Sequence, residues 1–207
     1  MVASDEEQID RLRDWWSENG RTVIAGLVLG VAALLSWQGW QAWQDNRIAS
    51  ASAAFAQLEQ MAARGQGDVV ERAEIVATAH RGSSYAALAW LMGAAAAVEN
   101  NDLATAVAYL EQARESAGRE ALIATIDLRL ARVLWAQGKH QQALDRLAVP
   151  PAGFEGLFAE LRGDVLADQG DWVAARQAYE QAVATDSGNG LLRMKLDSLP
   201  AAKPAAS

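Results

Sequence analysis

Paired acids such as Asp164 and Asp168 lie one helical turn apart, a spacing at which side chains could do chemistry. Carboxylates so placed can share a cation or divide acid and base work between them. More often they form a solvated or partner-facing surface. The only histidines, His80 and His140, fall in different segments, so they build no metal site or catalytic triad. His140 occupies the place that Leu103 and Trp172 fill in related segments, which makes it a packing residue at a helix start. Cysteine is absent, which removes disulfides, thiol chemistry and cysteine metal sites. Gly26, Gly30, Gly39 and Gly93 form no phosphate loop, because no Lys-Ser/Thr follows them and no strand precedes them. No catalytic, metal-ligating or cofactor-binding residue is assigned, and no enzyme is expected.

The elements that position these residues begin with an anchor. Thr22 to Gln44 carries no Asp, Glu, Lys, Arg or His, and Val23 to Leu35 is an unbroken run of apolar residues and glycine. A spanning helix needs about 20 apolar residues for roughly 30 Å of hydrocarbon. Trp15 and Trp16 precede the run, and Trp37, Trp40 and Trp43 close it. Trp16 and Trp37 stand about 31 Å apart along a helix, which suits two interfacial aromatic belts. A cleaved signal peptide would start basic, whereas the first twenty residues hold six acids against two arginines. Arg11, Arg13 and Arg21 on one side against Arg47 on the other predict a cytoplasmic N-terminus and a C-terminal part across the membrane. Gly26 and Gly30 form a GxxxG that lets two membrane helices touch.

The 207 residues permit one ordinary domain beside the anchor. The net charge of −8 includes no Lys/Arg stripe, which argues against nucleic acid as a partner. It also argues against docking on anionic lipid beyond the anchor.

Ser4 with Glu7 reads as a capping box that opens a cytoplasmic amphipathic helix within residues 1–21, with Asn19-Gly20 as its stop. The transmembrane helix takes residues 22–43. A repeat domain follows over 44–199, then a disordered tail over 200–207. The four prolines, Pro150, Pro151, Pro200 and Pro204, avoid helix interiors, and no long window alternates as a strand does. The fold class is all-α. Helical segments pair, and aligning Ala106, Ala143 and Ala175 brings three pairs into register. Small residues at Ala94, Ala131 and Gly163 then face those alanines, with larger ones such as Leu166 and Tyr179 in the next layer. Gly138 and Gly170 make turns, and Asn101 stands in the first. Residues 47–80 form a degenerate opening pair, and Pro150-Pro151 cuts the second copy short. The pattern is similar to the tetratricopeptide repeat, whose copies stack because none buries its apolar face alone.

The segments SENGRTVIAGLVLGVAALLSW, LRLARVLWAQGKHQQAL and LRGDVLADQGDWVAARQAYEQAV resemble the YfgM-type ancillary subunits of the SecYEG translocon, over nearly the whole chain. The resemblance implies a single-pass inner-membrane protein whose tetratricopeptide repeat-like domain stands in the periplasm. It implies association with the translocon and with a membrane-anchored periplasmic chaperone (PpiD). The implied role is to pass emerging polypeptides to periplasmic chaperones. A tether for another envelope complex is the alternative that the same repeats would serve.

If the repeats stack in the usual way, the first helix of each pair lines a groove. Leu91, Ala95 and Val98 fall there in the first copy, and Leu128, Arg132 and Trp135 in the second. Glu160, Asp164 and Asp168 complete it. The groove is expected to be apolar at one end and acidic at the other, with Trp135 exposed. It lacks the basic clamp for a peptide carboxylate and suits a basic or amphipathic segment.

Overall fold

The computed structural model describes residues 5–186 and 188–200. Ser4 and residues 201–207 lie outside the described residues, and with them the capping box and most of the expected tail. The chain divides into two units, residues 1–50 and 51–207.

One helix, α1 (Asp5–Ala63), supplies the first unit and opens the second. The expected stop at Asn19-Gly20 does not occur. A glycine inside a helix costs only about 1 kcal/mol relative to alanine, too little by itself to end a helix of 59 residues. Asn19 Nδ2 donates to the Trp15 carbonyl at 3.1 Å, and the Trp16 indole lies over Gly20. No chain reversal at this point demands a left-handed residue, so the helix runs on. Its apolar stretch is long enough to cross a membrane, and none of it is buried. That exposure separates it from a core helix. Trp37 and Trp40 pack with ring centroids 5.6 Å apart, and the Arg47 guanidinium lies 4.7 Å from the Trp43 ring centre.

In the second unit, the end of α1 is followed by α2 (Val69–Ala79), α3 (Ser84–Glu99), α4 (Leu103–Ser116) and α5 (Glu120–Ala136). Then come α6 (His140–Arg146), α7 (Glu155–Asp168), α8 (Trp172–Thr185) and α9 (Gly190–Ser198). All the regular structure among the described residues is helical. Helices α3 and α4, α5 and α6, and α7 and α8 pack as pairs, with α2 against α3 and α9 against α8.

The three pairs share one turn. Asn101, Gly138 and Gly170 have φ of 59°, 74° and 80°. The residue after each donates to a carbonyl five positions back: Asp102 to Ala97, Lys139 to Leu134, Asp171 to Leu166, at 2.8–3.0 Å. This is the left-handed closure that satisfies the last carbonyls of a helix, and asparagine tolerates it where glycine is missing. Asp102 and Asp171 also cap the following helix, accepting from the Thr105 and Ala174 amides at 3.0 Å. Lys139 cannot. That uncapped helix, α6, is seven residues long where α4 and α8 have fourteen, and it ends before Pro150-Pro151.

The small residues lie at the helix seams: Ala94, Ala106, Ala131, Ala143 and Ala175 are buried, as is Gly163. Tyr179 is buried beside them, while Leu166 is only half-buried. One core runs from Leu58 of α1 to Val165 of α7. A second, smaller cluster joins Ala159, Tyr179, Ala182 and Leu192, flanked by Val183, Leu196 and Leu199.

Candidate partner-binding surface

Counting from Ala94, Ala131 and Gly163 sorts the candidate residues into rows across α3, α5 and α7. Leu91, Leu128 and Glu160 form one row, Ala95, Arg132 and Asp164 the next, and Val98 and Trp135 a third. The first row does not line an open groove. Leu91 and Leu128 are buried in the main core, because the apolar stripe of each first helix is wider than the seam with its own partner. The next two rows open outward in part: Ala95 and Arg132 are exposed and Asp164 half-buried in one, and Val98 is exposed and Trp135 half-buried in the other. The expected division into an apolar and an acidic end does not hold: among the candidates Ala95, Val98, Arg132 and Asp168 are exposed, a mixed set.

Trp135 is not a bare anchor. It sits in the last turn of α5, half-buried, and its Nε1 donates to Asp168 Oδ2 at 2.8 Å. The same oxygen lies 2.9 Å from His140 Nε2 at the start of α6. Asp168 ends α7, where the helix dipole disfavours a carboxylate. The Trp135 hydrogen bond, followed by that of His140, nevertheless holds its pKa below the ordinary value. The constellation is a clasp between the second and third copies. His140 thus serves a hydrogen bond as well as the packing that its position suggests.

Asp164 and Asp168 do not work as a pair. Asp164 accepts from the Tyr179 hydroxyl at 2.8 Å and from Lys195 Nζ at 2.8 and 2.9 Å. Glu160 accepts from the same ammonium at 2.7 Å. Burial, then the hydrogen bond to Asp164, pushes the Tyr179 hydroxyl well above the ordinary tyrosine range. Burial opposes the charge on Lys195, yet the bonds from Asp164 and Glu160 leave its pKa raised. Each acid already holds a donor of its own. No group of His, Asp and Glu among the described residues could hold a metal ion.

Lys195 and Tyr179 are the residues that the groove reading missed. Lys195 lies outside the repeats in sequence, so helix pairing says nothing of it. A signal for Tyr179 exists in the spacing: Gly163 faces the Tyr179 ring, and Gly93 faces the Tyr109 ring in the first copy. Tyr109 donates to Glu74 of α2 at 2.7 Å, and burial followed by that bond raises its pKa far above the ordinary range. Between copies, Arg146 pairs with Glu111, and Arg114 Nε meets the buried Asp127 at 2.7 Å.

Residues 13–201 match the tetratricopeptide repeat-like domain family, so the all-α architecture is of that kind. An ancillary SecYEG translocon subunit of Haemophilus influenzae is 34% identical over 198 residues, covering 94% of this chain and 97% of the relative. The Escherichia coli protein of the same name is 33% identical over 203 residues, with 96% and 98% covered. That of Neisseria gonorrhoeae is 32% identical over 212 residues, with 96% and 100% covered. These matches take in the apolar stretch of α1 together with all three helix pairs, and the chain belongs to the family of ancillary SecYEG translocon subunits.

Proposed function

We propose that this chain is a non-enzymatic, membrane-anchored scaffold at the SecYEG translocon that helps pass emerging polypeptides to a membrane-anchored periplasmic chaperone of the PpiD kind. Residues 22–43 cross the inner membrane once. Residues 1–21 lie in the cytoplasm, residues 44–199 form the periplasmic domain, and the tail follows. The observation that carries this reading is the similarity to named translocon subunits along almost the full length, anchor included. The three arginines before the span against one after it support the orientation. The partner surface is the open part of the groove, Val98, Arg132 and the accessible edge of Trp135, with Leu91 and Leu128 beneath it. Glu160, Asp164 and Asp168 border it.

Two photo-crosslinking probes in living cells test the proposal, one replacing Gly26 in the span and one replacing Arg132 in the groove. The span probe should recover translocon subunits, and the groove probe should recover the chaperone or emerging chains. Recovery of another envelope complex from both positions would replace the translocon reading with the tethering one. External protease on spheroplasts should degrade the domain. Protection of residues 60–199 would reverse the topology.

A further inference from the structure

Helix α9 is seated on the third copy through one small apolar cluster, against which Leu196 and Leu199 also pack, and through polar contacts. Of its nine residues only Leu192 is buried, and that residue belongs to the small cluster with Ala159, Tyr179 and Ala182, not to the main core. Lys195 supplies polar contacts to α7, with its ammonium between Glu160 and Asp164 and 6.0 Å from the Tyr179 ring centre. Arg176 Nη2 reaches the Leu199 and Pro200 carbonyls only at 3.4 Å. The outward face of α9 leaves Leu191 and Met194 exposed. A helix this short is not stable alone, so its order depends on the seat beneath it.

The seat is defined better than its occupant. Ala159, Tyr179 and Ala182 are buried, and Tyr179 is locked by its bond to Asp164 and by Gly163 behind its ring. Glu160 and Asp164 stand one turn apart on α7, both half-buried, and Lys195 is the cation between them. An empty seat would hold two adjacent, partly desolvated carboxylates over an apolar floor. That arrangement selects a cationic group flanked by leucines.

We propose that α9 is a displaceable plug, and that its seat on α7 and α8 docks an amphipathic helix of a partner protein carrying the pattern of Leu192, Lys195, Leu196 and Leu199: Leu-x-x-Lys-Leu-x-x-Leu. The proposal rests on the scaffold reading above and adds a second surface, outside the groove, with a stated ligand chemistry. Binding there is coupled to release of α9. The intramolecular plug therefore lowers the apparent affinity of a partner by the fraction of time the seat is closed.

The test uses the full chain in lipid nanodiscs and a fluorescent peptide of residues 188–200 as the probe. Lys195→Glu should unseat α9, so this variant should bind the peptide about tenfold more tightly than the parent. A peptide with the same Lys195→Glu change should lose that binding. Equal binding by parent and variant, with the helical signal retained, overturns the proposal. If the variant loses its fold, hydrogen exchange on the parent decides the matter. Amides of α9 should exchange well ahead of those of α7 and α8, and protection equal to theirs overturns it. No translocon component enters this experiment, so its failure leaves the crosslinking result standing, and the converse also holds.

Discussion

Gly93→Ala tests the packing of the first copy at its tightest point. A Cβ on Gly93 would lie 2.8 Å from Ala73 Cβ on α2 and 2.8 Å from Tyr109 Cδ2 on α4. Carbon atoms in contact prefer about 3.5–4.0 Å, so both flanks fall short by roughly 1 Å. Neither yields easily. Ala73 Cβ is fixed to a helix backbone, and the Tyr109 ring is held by its bond to Glu74 at 2.7 Å and by Trp90, whose ring centroid is 4.7 Å away. Overpacking costs typically about 1–3 kcal/mol, and two rigid flanks place this site near the upper end. Alanine returns about 1 kcal/mol through its better helix propensity. The net loss is about 2 kcal/mol, which lowers the melting temperature of a domain this size by about 4–8 °C. Thermal unfolding of the full chain in nanodiscs, followed by far-UV circular dichroism, reads the shift. Gly26→Ala is the control, because no atom lies within 4 Å of its added carbon. Adding Ala73→Gly to Gly93→Ala should recover part of the loss through coupling of touching sites. A Gly93→Ala chain that melts at or above the parent temperature would refute the close approach of α2, α3 and α4.

Ala175→Leu should cost about 1–3 kcal/mol, because Ala175 is fully buried at the seam of α7 and α8. An unchanged melting temperature would remove it from that seam. Asp168→Asn should lower the melting temperature near neutral pH, since the carboxylate pKa is depressed in the folded chain by Trp135 and His140. A depressed carboxylate contributes stability above its unfolded value, about 3.9, and loses it as pH falls through the folded value. The difference between parent and variant should therefore close in acid. A difference independent of pH would show that the clasp owes nothing to charge.

Much of this fold is legible in order along the chain because its causes are local. Hydrophobic length and the absence of charge mark the apolar stretch of α1 without reference to anything else. Asn101, Gly138 and Gly170 are readable as turns because a left-handed closure needs one of few residue types five positions before the seam alanine. Prolines 150 and 151 likewise announce the short α6. The one local signal that misled was Asn19-Gly20, which favours a stop but does not compel one when the chain has no reason to reverse.

The groove was not legible, because which face of a helix is open depends on how many neighbours cover it. Leu91, Leu128 and Trp135 look alike as apolar residues at repeat positions. Stacking buries the leucines, while Asp168, thirty-three residues beyond Trp135, takes the indole proton. Asp164 and Asp168 share one helix face in sequence, yet Lys195 and Tyr179 claim the first and Trp135 and His140 the second. The all-α class, the apolar anchor and the repeat register follow from the sequence alone, because periodicity and turn chemistry act within a few residues. The assignment of each acid to its partner, and the seating of α9 over Glu160 and Asp164, required the tertiary structure. Those contacts join residues far apart in the chain, and no local preference encodes them.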